Sequence, residues 1–261
     1  MFEFPKWTRT SGVFFFRHFS VFLHSVHLQV FEGLIQPFLY LLCFGLVLGE
    51  WFDITNVPSY LDYVYIGILC CIPMSVCCYE LVYTLSSYAN NKDLKKYFAL
   101  LPMRQSEIYI ASFVWAVFKA ILISFLFMVI AAVVGVQDPF LFLPAVIAIV
   151  LVSVFFGALT LFLMAMFGWD ESNHNNIIVL IIPFFLFSGT FFPVEVLPIG
   201  LEEFFFYSPT GYSIHLLRSK GLESWALLDY SLLLVYFLLA VTLLGLSIPR
   251  LQARFAPSRV R

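Results

Sequence analysis

The chain has 261 residues, 62% hydrophobic and only 11% charged, with a mean hydropathy of +0.95. A soluble domain carries about 45–50% apolar and about 25% charged residues, so 14 Lys+Arg and 16 Asp+Glu cannot clothe a water-soluble enzyme of 30.0 kDa. The same balance excludes a disordered chain, five cysteines in apolar runs exclude a disulfide scaffold, and a net charge of -2 without a basic patch excludes a nucleic-acid partner. What remains is an all-α polytopic membrane protein, read as one domain over 1–261.

The first predicted element is an amphipathic helix over 12–30. Phe15, Phe19, Phe22, Val26 and Val30 recur at helical spacing, with Arg17, Ser20, His24 and His27 on the opposite stripe. Such a helix lies in the membrane interface. No small-residue cleavage site follows it, so it is expected to be retained. A spanning helix needs about 20 apolar residues, and runs of that order predict six spans: 33–49, 63–79, 108–137, 139–169, 172–194 and 230–249. Lys119 alone interrupts the third.

Lys6, Arg9, Arg17, Lys92, Lys95, Lys96, Arg104, Arg250, Arg254, Arg259 and Arg261 then fall on one side, and Arg218 and Lys220 on the other. The excess of basic residues marks the cytoplasmic face, which places both termini inside. Two segments are too polar to span. In 88–107, Asp93, Lys96 and Tyr97 share one helical face and Leu94, Phe98 and Leu101 another, up to Pro102. This is either an interfacial connector or a docking helix for a soluble partner. In 193–229, Pro193 and Pro198 interrupt any helix, yet 199–217 stays apolar and aromatic. A pair of short re-entrant helices dipping into the outer leaflet, shielded by protein, suits that composition.

Several stretches carry a resemblance. They are Phe187-Ser-Gly-Thr-Phe-Phe-Pro-Val-Glu-Val-Leu-Pro198, Tyr207-Ser-Pro-Thr210, His215-Leu-Leu-Arg218, Ala99-Leu-Leu-Pro102 and Trp115-Ala-Val-Phe-Lys119-Ala. With them the chain resembles the membrane subunits of ABC-2 type exporters, above all nodulation-type lipo-oligosaccharide and polysaccharide export permeases. It departs at Ala111-Ser112, where relatives often carry Gly-Glu, and at Ile66-Gly67, where they often carry Pro-Gly. The resemblance implies a homodimer in the bacterial cytoplasmic membrane, each copy resting on an ATP-binding cassette subunit that holds ATP and Mg. It implies coupling to that ATPase through Asn91, Lys92, Leu94, Lys95, Phe98, Leu101 and Arg104, and an amphipathic or lipid-linked cargo moving between spans one, two and five of the two copies. Independently, the sequence lacks a G-x-x-x-x-G-K-[ST] phosphate loop, so ATP chemistry belongs to another polypeptide, and no catalytic residue is expected here.

Candidate substrate-path residues are Lys119, Glu80, Phe187, Phe191 and Phe192. A lysine at mid-helix costs about 2.5–3.5 kcal/mol on insertion scales and must face protein or water. At 1.5 Å per residue Lys119 lies about 17 Å into span three and Glu80 only about 9 Å into span two. A direct pair would need the lysine stem to reach down, and the count does not favour it. The phenylalanines offer rings on which sugar faces or acyl chains stack. Cys70, Cys71, Cys77 and Cys78 suggest a soft-metal site, but neighbouring cysteines on a helix point apart, and packing is the favoured role. His18, His24 and His27 suit the headgroup region better than a metal. A secondary transporter or channel without an ATPase is the alternative function. It usually shows repeats or broken charged helices, and neither is visible.

Overall fold

The computed structural model describes residues 6–47, 59–91, 105–134, 136, 142–168, 175, 179, 181–219 and 227–255. Regular structure among the described residues is helical throughout. α1 (Lys6–His24) leads, and α2 (Val26–Tyr40) follows it and continues as a π-helix over Leu41–Val47. α3 (Tyr60–Asn90), α4 (Gln105–Val134) and α5 (Phe142–Phe167) are long; α6 (Ile181–Phe187), α7 (Leu201–Phe206) and α8 (Pro209–Arg218) are short, and α9 (Leu227–Phe255) closes the chain. Among the described residues, five helical stretches are long and apolar enough to cross a membrane: Val26–Val47, Tyr60–Tyr88, Ser106–Val134, Pro144–Phe167 and Ser231–Leu251. Of the fifth predicted span, 172–194, the described part is chiefly α6.

The predicted interfacial helix over 12–30 is divided. α1 ends at His24, and Val26 and Val30 belong to the spanning helix α2. The break is built by Ser25, whose hydroxyl donates to the Val21 carbonyl at 3.0 Å and accepts from Gln29 Nε2 at 2.9 Å. Such side-chain bonds offer the backbone an alternative to continuing the helix.

α3 and α4 pack antiparallel, with Tyr65 stacked on Phe127 towards one end and Glu80 bonded to Lys119 towards the other. Phe14 of α1 clusters with Ile108, and Leu251 near the end of α9 with Leu85 and Tyr109. Both extremities of the described chain therefore sit at one end of the bundle, here called the α1 end; α7 and α8 sit at the other.

α3 is the central post. In its spanning core 72% of residues are buried, against 17% for α2 and for α9. Lipid tails are as apolar as leucine, so helices in a membrane associate through small residues and interhelical hydrogen bonds. The α3 cysteines supply both. Cys77 donates to the Ser153 carbonyl at 3.3 Å, the Thr160 hydroxyl lies 3.0 Å from Cys78 Sγ, and Cys71 Sγ lies 3.3 Å from Thr190 Oγ1. The thiols thus face α5 on one side and the turn after α6 on the other.

That turn is the 187–198 motif. α6 stops at Phe187, and the chain reverses through Ser188, Gly189 with φ 87, and Thr190. Its backbone lies so close to α3 that a Cβ on Gly67 would stand 2.6 Å from Thr190 Cα and 2.8 Å from its carbonyl oxygen. The two short helices expected in 193–229 are α7 and α8. Ser208 caps α8 by accepting from Gly211 N–H at 3.0 Å, with Pro209 in the first turn. α8 is buried against α3 and α5, whereas α7 leaves Leu201 and Phe204 exposed.

Gly67→Ala should therefore destabilise the protein by about 1–3 kcal/mol, the usual cost of overpacking. Gly245→Ala, where nothing lies within 4 Å, should leave thermal unfolding in detergent unchanged; equal melting temperatures for the two variants would contradict this packing.

Candidate functional site

Among the described residues, two arrangements of polar side chains bear on function. The first centres on Lys119. Its Nζ lies 2.6 Å from Glu80 Oε2, and the two side chains are only 13% and 15% exposed. The helix count from sequence did not favour this pair, and the reason is side-chain direction. Every Cα–Cβ bond in an α-helix leans toward that helix's N-terminus. In the antiparallel pair α3 and α4, Glu80 leans away from the α1 end and Lys119 leans towards it, so the two converge. Trp115, one turn before Lys119, donates its indole N–H to Glu80 Oε1 at 2.8 Å. Lys119 also donates to Gln29 Oε1 of α2 at 2.9 Å. One carboxylate thus holds α3 to α4, and one ammonium adds α2.

Helix α1 covers this cluster. Phe15, Phe19 and Phe22 meet Trp115 edge-on at centroid distances of 5.6, 6.4 and 5.7 Å. His18 stacks on the same indole at 6.0 Å and 13°, and its Nε2 lies 3.1 Å from the Tyr88 hydroxyl. Arg17 Nη1 donates to that hydroxyl at 3.3 Å. Burial pushes the His18 pKa down to about 4; Glu80 partly opposes this, and Arg17 and Lys119 reinforce it. The imidazole is accordingly neutral at pH 7. The predicted apolar stripe therefore faces α4, while Val13, Phe16, Val21 and Leu23 stay exposed. The sequence reading had not joined His18, Tyr88, Gln29 and Trp115 to the charged pair. The available signal was spacing: residues 15, 18, 19 and 22 occupy one helical face.

The second arrangement is a groove of about 340 Å³ between α2, α3 and α6. α2 lines it with Glu32, Gln36 and Tyr40, α3 with Ile72, Ser75, Val76 and Tyr79, and α6 with Ile182, Phe185 and Leu186. Each set recurs at three- and four-residue steps, so each helix turns one face to the opening. Of the candidate path residues, neither Lys119 nor Glu80 lines this groove, nor do Phe187, Phe191 and Phe192. Phe191 is buried instead among Phe44, Phe185 and Tyr40, at 4.3, 5.6 and 5.9 Å. Phe187 is exposed and touches Phe192 at 6.4 Å. The opposite end of α3 is latched to the motif turn and to α8: Tyr60 donates to the Phe191 carbonyl at 2.9 Å, and Arg218 donates to the Tyr63 carbonyl at 2.8 Å while lying 3.4 Å over its ring. Asn91 is exposed at the end of α3. Lys92, Leu94, Lys95, Phe98, Leu101 and Arg104, the remaining coupling candidates, lie outside the described residues.

Comparison with known proteins gives a consistent result. The family model described as "ABC-2 type transporter" matches residues 12–220, which takes in most of α1 and all of α2 to α8. The chain is similar to "Nodulation protein J" of Rhizobium leguminosarum bv. viciae, 23% identical over 205 residues covering 77% of this chain and 78% of that protein. It is likewise similar to "Nodulation protein J" of Rhizobium leguminosarum bv. trifolii, 27% identical over 188 residues covering 71% of each chain.

Removing one partner of a buried pair leaves the other charge uncompensated, at a cost of about 3–5 kcal/mol. Lys119→Met and Glu80→Met should each lose that much in unfolding measurements in mixed micelles, and the double variant should recover a large part of it. A double variant as unstable as the sum of the singles would contradict the pairing. His18 adds a pH term. Its packed pKa of about 4 lies below the usual 6.5, so between those values the released helix binds a proton that the packed one refuses. Stability from α1 packing is full above about pH 6.5 and falls as pH drops towards 4. His18→Phe should flatten that part of a melting-temperature profile.

Proposed function

The chain belongs to the ABC-2 type transporter family, and from that premise we propose that it forms the path of an exporter powered by ATP hydrolysis on a separate ATP-binding cassette subunit. The observation that carries the reading is the groove between α2, α3 and α6, a mainly apolar opening with a few polar side chains, two of whose helices are long and apolar enough to cross a membrane. A bundle meant only as an anchor has no use for Glu32, Gln36, Ser75 and Tyr79 on one opening. An exporter of amphipathic cargo does, because the head needs polar partners and the tail needs the apolar wall of α6. Cargo of this kind includes glycolipids and lipid-linked oligosaccharides, other lipids and hydrophobic compounds.

In this reading two copies of the chain pair, and each rests on one ATPase that binds ATP and Mg. The protein resides in the bacterial cytoplasmic membrane with the α1 end in the cytoplasm, and α7 and α8 sit in the outer leaflet. The segment 88–107 joins α3 to α4 and receives the push from the ATPase through Asn91, Leu94, Phe98 and their neighbours. A force on that segment acts on the adjacent ends of α3 and α4, the two helices that Glu80 and Lys119 bind together. The pair therefore serves to move α3 and α4 as one body, not to hold cargo. Rigid-body motion of packed helices against a symmetry mate is the general form of such transport.

The test is co-reconstitution with the ATPase in liposomes. Leu94→Asp and Phe98→Asp should leave membrane insertion intact and keep ATP turnover while transport falls at least about tenfold, consistent with loss of a docking contact worth about 1.4 kcal/mol or more. Undiminished transport by both variants would remove the coupling role of the segment. Uphill transport by the chain alone, without a nucleotide-hydrolysing partner, would overturn the whole reading.

A further inference from the structure

We propose that the groove between α2, α3 and α6 selects its occupant by charge: it takes the non-anionic head of a hydroxylated or amine-bearing amphiphile and rejects phosphate, sulfate or carboxylate heads. The inference rests on the transport reading only for what the occupant is later used for. The selectivity itself follows from the wall.

Among the described residues Glu32 is the only acidic or basic side chain lining the groove, and no Lys, Arg or His joins it. The nearby cations are committed elsewhere: Lys119 is paired with Glu80 at 2.6 Å, and Arg17 bonds to Tyr88. Glu32 lies inside the spanning stretch Val26–Val47 and is exposed. A carboxylate at that depth must face water or a polar partner, not lipid. Among the described residues Glu32 makes no hydrogen bond and no ion pair, so its valences are open to whatever enters.

The other polar groups offer both senses of hydrogen bond. Ser75 spends its hydroxyl proton on the Cys71 and Ile72 carbonyls at 3.1 and 3.0 Å, leaving its oxygen as an acceptor. Gln36 spends one amide N–H on the Tyr40 hydroxyl at 3.2 Å, leaving its second N–H and its carbonyl open. Sugar hydroxyls, which donate and accept, match such a wall, and an ammonium pairs with Glu32. A phosphate brings negative charge against Glu32, and that repulsion sets the discrimination. The volume of about 340 Å³ is at the lower end of the range for small-molecule sites, enough for a head of one or two rings, while Ile182, Phe185 and Leu186 take the hydrocarbon.

The experiment uses the full-length chain in nanodiscs and three photoreactive probes with the same alkyl chain, bearing a glucoside, a primary amine or a phosphate head. Peptide mapping then locates the label. In the native chain the glucoside and amine probes should label the groove faces of α2 and α3, with phosphate labelling at least about tenfold weaker, as expected for a like charge within a few ångströms. Glu32→Gln should raise phosphate labelling and lower amine labelling, and Glu32→Lys should reverse their order. Glu32 is exposed and makes no bond among the described residues, so these variants should fold; unchanged melting temperatures verify that. Equal labelling by all three heads, or an unchanged order in Glu32→Lys, would overturn the proposal. So would crosslinks from these faces only to a second copy of the chain, which would mean that protein fills the groove. Because no ATPase is present, the charge order is read independently of transport, and either result stands whether or not the assembled exporter functions.

Discussion

An ammonium group halfway along a lipid-spanning helix has no solvent to share its charge with, and this constraint organises much of the bundle. Lys119 must bind a partner on another helix, and the partner it binds is Glu80. A carboxylate has two oxygens, and the low dielectric makes an unpaired one costly, so the second oxygen takes the Trp115 indole. The remaining capacity of the lysine reaches Gln29. Three helices are registered by four side chains, and the aromatic face of Trp115 becomes the surface on which α1 lies. Helix α1 is thus placed by the needs of one charge on the helix it packs against.

The same constraint explains the apolar-looking parts. α3 has few charged residues to join it to its neighbours, so it uses thiols, hydroxyls and close backbone approach. Cys71 meets Thr190, Cys77 meets the Ser153 carbonyl, and Gly67 admits the backbone of the 187–198 turn. At position 67 the contact needs only the missing Cβ.

Much of the architecture was legible in the sequence because hydrocarbon thickness sets a length that composition reveals. Four of the predicted spans correspond to the cores of α2, α3, α4 and α5, a further one to α9, and the two short helices after Pro198 follow from apolar residues that cannot sit in water. What the sequence hid was lateral: which faces meet, and in which direction a side chain leans. Counting Cα heights separates Glu80 from Lys119, whereas opposite leans on antiparallel helices bring them together. Phe191 looked like a path residue because it is aromatic, yet it is buried under Phe44 and Phe185. Glu32 reads from the sequence only as a charge flanking the first span, because it stands at the edge of an uncharged run, where such a charge usually marks the interface.

The cluster and the groove share α2, and their arrangement limits how the groove can widen. Gln29 turns towards Lys119, while Glu32 and Gln36, one and two turns further along, face the opening. Any widening that preserves the bond to Lys119 must be taken up beyond Gln29. The helix is weakest there: Pro37 removes a backbone donor, and from Leu41 the chain is wound as a π-helix to Val47, a form that is rare and is mostly found where function requires it. The π-stretch is packed against Leu61 through Gly45, where a Cβ would stand 2.6 Å from Leu61 Cδ1. One half of α2 is therefore pinned by charge and the other held by a close but uncharged contact. The two halves of α2 thus meet the pair α3 and α4 through different chemistry, the first through a hydrogen bond to Lys119 and the second through apolar packing on Leu61, and the change from one to the other falls beside Tyr40, at the rim of the groove.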